Sequence, residues 1–159
     1  MKQEIWKNPP VIKIYEAMGV LADERIKNNK EDEWRVYSSS RNKFYIVKYN
    51  NDFSALMSND NGSYWQGYLG YPMIAFLMRK NVIKYNQEMV KLLRGIKWKD
   101  INMQNKNDYN KTIDYCLQIV KQRGGDVKEF LKEVENIKQQ IKQLKIRKLG
   151  KRIKPSNKY

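Results

Sequence analysis

The chain has 159 residues, of which 41% are hydrophobic and 12% aromatic, so it is long enough to bury one sizeable core. Its 32 Lys and Arg residues against 17 Asp and Glu give a formal net charge of +15, and histidine is absent. Without histidine, Ser-His and Cys-His catalysis and histidine-based zinc sites are excluded. We expect a protein that is not an enzyme and that holds no metal and no cofactor.

The excess of positive charge predicts a polyanionic partner, because a folded domain with this imbalance repels itself. Nucleic acid fits better than a membrane surface, since the longest apolar stretch, near residues 71–78, is less than half of a spanning segment. The N-terminus lacks an apolar signal region, which predicts a cytoplasmic protein. The single cysteine, Cys116, falls on an apolar helical face and is expected to be a small buried hydrophobe.

The N-terminal half predicts a helix followed by strands. Apolar residues at helical spacing after Pro9-Pro10 predict a helix from about Pro10 to Ile26, and the polar residues 28–33 predict a loop. From Trp34 the apolar period changes to two. Strands near 34–36, 44–49 and 53–58 are then expected to form a three-stranded antiparallel meander, covered by the flanking helices.

The C-terminal half predicts helices only. Pro72 opens one through Met78, and residues 83–93 continue as helix until Gly95. Two more helices are separated by Gly124-Gly125, where the glycines suit a C-cap and Asp126 with Glu129 has the spacing of a capping box.

The last helix carries apolar residues at alternating steps of three and four, as in a coiled-coil seam. Its partner is either the helix over residues 109–120, in an intramolecular hairpin, or, as the sharper alternative, another protein or a second copy of this chain. The seam residues are Phe130, Val134, Ile137, Ile141 and Leu144.

Positive charge is concentrated at the C-terminus. Residues 138–159 contain nine basic side chains and no acidic one, which predicts phosphate contacts with nucleic acid. The alternative is a solvated helix end whose lysines complement the helix dipole. The expected contacts are Lys142, Lys145, Arg147, Lys148, Lys151, Arg152 and Lys154.

Residues 59–71 interleave three glycines with aromatic side chains. Tyr64, Trp65 and Tyr68 could stack on single-stranded bases beside Arg79 and Lys80. The favoured alternative is a loop that caps the core with buried rings.

Four aspartates are candidate ligands for the magnesium ions of a nuclease centre. Asp52, Asp60, Asp100 and Asp108 lie in Asn- and Gly-rich contexts without a recurring spacing. Turn and cap roles are therefore expected for them.

The hairpin read as Trp34-Arg-Val-Tyr-Ser-Ser-Ser40 and Tyr45-Ile-Val47, with the helix start after Gly70, resembles a SWIM-type zinc finger. All four zinc-ligand positions of that family are vacant, because Leu56 to Asp60 and Gly70 to Ala75 replace its Cys and His motifs. The resemblance implies a zinc-free relative associated with DNA binding, in which Tyr64, Trp65, Tyr68, Tyr71 and Pro72 supply packing in place of the metal.

Together these patterns predict an α+β fold: an N-terminal helix, a three-stranded antiparallel meander, then helices ending in a helical hairpin with a basic tail. Residues 1–104 form an α+β domain with the SWIM-like segment, 105–149 the hairpin and 150–159 a flexible tail. The expected function is non-catalytic binding of DNA or RNA with little sequence preference. The alternative is a protein-interaction adaptor that uses the C-terminal seam.

Overall fold

A computed structural model describes residues 4–156, and its α+β architecture confirms the predicted fold class. Five strands form one sheet in the order β1 to β5, all antiparallel except the last pair, β4 and β5. The strands are β1 (Ile26–Lys30), β2 (Glu33–Tyr37), β3 (Phe44–Tyr49), β4 (Ala55–Ser58) and β5 (Arg147–Lys148).

The helices pack on this sheet and on one another. A short π-helical turn (Gly62–Gln66) follows β4. The α-helices of the described residues are α1 (Ile12–Ala22), α2 (Tyr71–Arg79), α3 (Gln87–Lys91), α4 (Trp98–Gln104), α5 (Tyr109–Gln122) and α6 (Val127–Leu144). None of these is long and apolar enough to cross a membrane.

The first helix is shorter than predicted, and a strand replaces the loop expected after it. α1 stops at Ala22 because Glu24 takes the left-handed conformation, with φ 54°. The Glu24 N–H donates to the Leu21 carbonyl and the Arg25 N–H to the Val20 carbonyl, which is the Schellman pattern of helix termination. The chain therefore enters β1 at Ile26, and residues 28–30 are sheet rather than loop.

The predicted period of two separates a buried face of the sheet from a more exposed one. Trp34, Val36, Tyr45 and Val47 are buried, and Trp34 pairs with Val47 while Val36 pairs with Tyr45. The sheet has two strands more than predicted, one at each edge. β5 lies parallel to β4, about 90 residues away in sequence, so no local pattern indicated it.

The second half contains more interruptions than its apolar pattern predicted. α2 begins with Pro72 in its first turn and ends at Arg79, one residue past the predicted end, where left-handed Asn81 closes the helix. The predicted helix over 83–93 is only α3, which is capped by the Asn86 side chain. α4 was not predicted at all.

The turn between α5 and α6 follows its sequence signals. Gly124 has a φ of 81°, and the Gly125 N–H donates to the Val120 carbonyl. The Asp126 carboxylate accepts from the Glu129 backbone N–H at 3.2 Å. A C-cap glycine and an N-cap aspartate therefore fix this turn from local chemistry.

Cys116 is fully buried on α5, as predicted. Burial, together with the nearby Glu16 carboxylate, raises the pKa of its thiol to about 12. The native thiol should therefore resist a disulfide reagent at pH 8, whereas the denatured thiol reacts at once. Because the unfolded thiol ionises first, the free energy of unfolding should fall as the pH rises from about 9 to about 12.

Two measurements check this prediction: a thiol titration with and without denaturant, and unfolding curves across that pH range. Cys116→Ala is the control, and its alkaline loss of stability should be smaller than that of the wild type. Rapid labelling of the native protein at pH 8 would contradict the buried position.

Candidate nucleic-acid interface

Trp65 is the most exposed tryptophan of the described residues, with 61% of its surface accessible. It lies on the π-helical turn, where the Tyr64 ring meets it edge-on at a centroid distance of 4.6 Å. The Arg152 guanidinium lies 5.2 Å from the centre of the Tyr64 ring and donates to the Tyr64 carbonyl at 3.0 Å. An exposed indole is thus fixed beside a cationic group from the C-terminal segment.

Trp65 borders an open depression of about 390 Å³, which we call the groove. Its wall combines aromatic and apolar side chains with lysines. The Nζ of one of these lysines, Lys13, lies 5.6 Å from the centre of the Tyr109 ring. The residues that define the groove are Lys13, Trp65, Tyr68, Lys99, Met103 and Tyr109.

Lys13 remains a cation at the floor of the groove. Burial lowers its pKa, but the Glu16 carboxylate, 3.0 Å from its Nζ, outweighs that effect and leaves the pKa above its ordinary value. Burial raises the pKa of Tyr68, so this phenol stays neutral and can donate. The groove therefore offers positive charge and aromatic surface at neutral pH.

The rings of the glycine-rich segment do not share one environment. Tyr64 and Tyr68 are partly buried, while Trp65 faces solvent. The expectation that Trp65 contributes packing in place of a metal is therefore wrong, whereas Tyr71 and Pro72 do pack against or within the core.

Two glycines of this segment leave room for neighbouring side chains. A Cβ on Gly62 would overlap the Tyr68 ring, and one on Gly70 would overlap the Asp60 carboxylate and the Ser63 hydroxyl. Close approach by protein atoms, rather than by a ligand, explains these two positions.

Three of the four candidate aspartate ligands have structural partners, and Asp100 lies in the first turn of α4. The Asp60 carboxylate accepts from the Ser63 backbone N–H and hydroxyl, and that of Asp52 accepts from the backbone N–H and hydroxyl of Ser54. Asp108 caps α5. These are turn and cap roles, as the sequence predicted for them.

The predicted basic contacts divide into two groups. Lys142, Lys145, Lys151 and Lys154 are exposed. Lys148 differs, because it is half-buried, its Nζ lies 2.8 Å from the Glu4 carboxylate, and it also lies over the Trp6 ring. Lys148 is therefore less available for phosphate contacts than the exposed lysines.

Some basic residues of the C-terminal segment belong to the fold. Arg147 is exposed but lies in β5, and its guanidinium donates to the Ser54 hydroxyl. Beyond it, Pro155 and Ser156 lie beside the β2–β3 turn, next to Asn42 and Lys99. Residues 157–159 of the predicted tail lie outside the described residues.

Arg79 and Lys80 do not lie beside the aromatic turn, contrary to the prediction. They are at the C-terminal end of α2, whose N-terminal end follows that turn, and the rise of a helix separates the two ends by about 13 Å. Both cations lie over the Trp34 ring, with the Lys80 Nζ 4.6 Å from its centre. The cations that do lie near the aromatic turn are Arg152, Lys13 and Lys99.

The helical seam faces inward. Phe130, Val134, Ile137 and Ile141 are buried, and the Phe130 ring lies 5.7 Å from that of Tyr15 in α1. Leu144 is partly buried against the same core. A partner helix or a second copy could not reach these side chains without unfolding α6, so the adaptor interpretation loses the surface on which it depended.

Sequence reasoning missed Lys13, Lys99 and Met103 as neighbours of Trp65. They come from α1 and α4, and each is unremarkable in its own segment. Only the packing of α4 beside α1, where the Trp98 side chain lies against Gly19, brings them together.

A family model described as "Uncharacterised conserved protein UCP014422" matches residues 6–147. The chain belongs to this family. The match includes every residue of the groove, and Arg152 lies beyond it. No curated protein and no solved structure matches the chain.

Proposed function

We propose that this protein binds single-stranded DNA or RNA without catalysis, through phosphate contacts and base stacking in the groove. The observation that carries the proposal is the exposed Trp65 ring, which borders a depression that contains Lys99 and packs against Tyr64, the residue that Arg152 contacts. An indole is costly to leave in water, and a nucleobase would cover it.

Stacking on an aromatic platform suits any base, because every base has a π face. The edge-on contact with Tyr64 holds the Trp65 ring in place, while 61% of the Trp65 surface stays accessible to a ligand. This predicts affinity with little sequence preference.

The phosphate contacts come from Lys99 of the groove and from the exposed cations of the C-terminal segment: Lys142, Lys145, Arg147, Lys151, Arg152 and Lys154. Neutralising phosphates releases counterions, so affinity should fall steeply with salt. The net charge of +15 and the resemblance to SWIM-type domains support the same proposal.

Trp65→Ala should weaken binding of a fluorescein-labelled single strand by roughly 5- to 150-fold, as expected for one lost stacking contact. Tyr115→Ala is the matched control, since Tyr115 is 40% exposed on α5 and lies outside the groove. Fluorescence anisotropy with a DNA and an RNA strand measures both. Equal affinities for Trp65→Ala and wild type would reject the stacking role.

Arg152→Ala should weaken binding to all sequences alike and reduce the slope of log K against log salt by about 0.7, the value for one single-strand phosphate contact. Lys128→Ala, an exposed cation on α6, should leave the slope unchanged. Failure of the wild type to bind either nucleic acid at low ionic strength would refute the proposed function.

A further inference from the structure

A second, more enclosed space of about 250 Å³ lies under the β2–β3 turn, and we call it the cavity. It lies next to the groove, since Lys13, Asn61, Lys99 and Asn102 border both. Its wall also contains Arg25, Ser38, Ser39, Tyr71 and Trp98.

Arg25 is the unusual member of that wall. Only 2% of its surface is exposed. Its Nε donates to the Asp23 carboxylate at 3.0 Å and its Nη1 to the Tyr37 carbonyl at 2.6 Å. Its Nη2 has no hydrogen-bond partner among residues 4–156. A buried guanidinium with an unused N–H lowers stability unless an acceptor reaches it.

Arg25 is held in this position by its neighbours. The preceding residue, Glu24, has the left-handed backbone that ends α1. Asp23 is fixed in turn, because its carboxylate also accepts from the Gly95 N–H at 2.7 Å. The guanidinium is therefore fixed at the wall of the cavity.

The charge around the cavity favours an anion. Glu16 is the acidic side chain of the wall, and its carboxylate is held by Lys13 and by the Asn102 amide. Lys43 and Lys99 add positive charge at the mouth. A guanidinium in which one Nη group still lacks an acceptor is well matched to phosphate oxygens.

We infer that the cavity binds a phosphomonoester, either the terminal phosphate of a strand in the groove or that of a free small phosphate compound. An internal phosphodiester does not suit the site, because both neighbouring nucleotides would have to enter with it. A terminal phosphate enters alone while the rest of the strand continues into the groove. The strand form of this inference rests on the proposed function.

The test compares three versions of one oligonucleotide, with phosphate at the 5′ end, at the 3′ end or at neither. One phosphorylated form should bind about 10-fold or more tightly than the hydroxyl form, as expected for a charge-assisted contact to Arg25. Arg25→Lys, which keeps the charge and loses Nη2, should bring this ratio close to one without changing the affinity of the hydroxyl strand.

Inorganic phosphate and adenosine monophosphate, each added alone, distinguish the two sources. A rise in the thermal midpoint with either compound identifies a free phosphate ligand. Lys99→Glu should abolish both the rise and the affinity ratio, and Lys128→Glu should retain them. This pair remains informative if Arg25→Lys does not fold, since both lysines are exposed.

The outcomes separate the two proposals. A ratio of one, together with no response to either phosphate compound, overturns the inference about the cavity, while Trp65-dependent binding of the hydroxyl strand would leave the proposed function intact. A phosphate response in a protein that binds no oligonucleotide supports the cavity and refutes nucleic-acid binding.

Discussion

Ile137→Asp is expected to unfold the protein. Ile137 is fully buried on the inward face of α6, among the side chains that also surround α1. A carboxylate there would be desolvated without a partner, and we expect a loss of about 4–5 kcal/mol or more of the free energy of unfolding. That is most or all of the stability of a domain near the lower end of the usual range of about 5–15 kcal/mol.

Leu131→Asp is the matched control, because Leu131 lies on the same helix and is 42% exposed. It should cost less than about 1 kcal/mol. Far-ultraviolet circular dichroism and mass in solution check both variants. A folded Ile137→Asp monomer obtained from a wild-type dimer would show instead that the seam joins two chains.

Gly70→Ala is expected to destabilise the protein by about 2–4 kcal/mol and to lower Tm by roughly 5–15 °C. The backbone of Gly70 is extended, so alanine causes no conformational strain. The cost is steric, because the new methyl group meets the Asp60 carboxylate and the Ser63 hydroxyl. Both are buried and hydrogen-bonded to each other, so neither can move cheaply.

Thermal unfolding of Gly70→Ala, Asp60→Ala and the double variant tests the cause. If the clash with Asp60 dominates, the double variant loses less stability than the two single losses combined. Gln66→Ala, at an exposed position of the π-helical turn, should be nearly neutral. Strictly additive losses would contradict the steric explanation.

Local chemistry allowed part of the fold to be predicted. Gly124 and Asp126 mark the α5–α6 turn because a left-handed C-cap and an N-cap carboxylate have strong residue preferences. The alternation from Trp34 to Val47 indicates strands, since a strand has a period of two. These features depend only on neighbours in sequence.

The missed features depend on distant partners or on residues that break a preference. Glu24 ends α1 in a conformation that its residue type does not indicate, so the prediction extended the helix to Ile26. In the groove, Trp65 could be proposed for stacking, but its cationic neighbours Lys13, Lys99 and Arg152 come from three distant segments. Arg25 showed no signal, because its unused N–H exists only in the folded protein.

The position of β5 at the edge of the sheet has a consequence for synthesis. Arg147 pairs with β4, and the Ile146 carbonyl accepts from the Trp6 N–H, which joins segments about 140 residues apart. Almost the whole polypeptide must emerge from the ribosome before β5 can pair with the edge of β4. Until then the nascent chain exposes an unpaired strand, and ribosome-bound chains that stop before Ile146 should aggregate or recruit chaperones more than those that extend past Leu149.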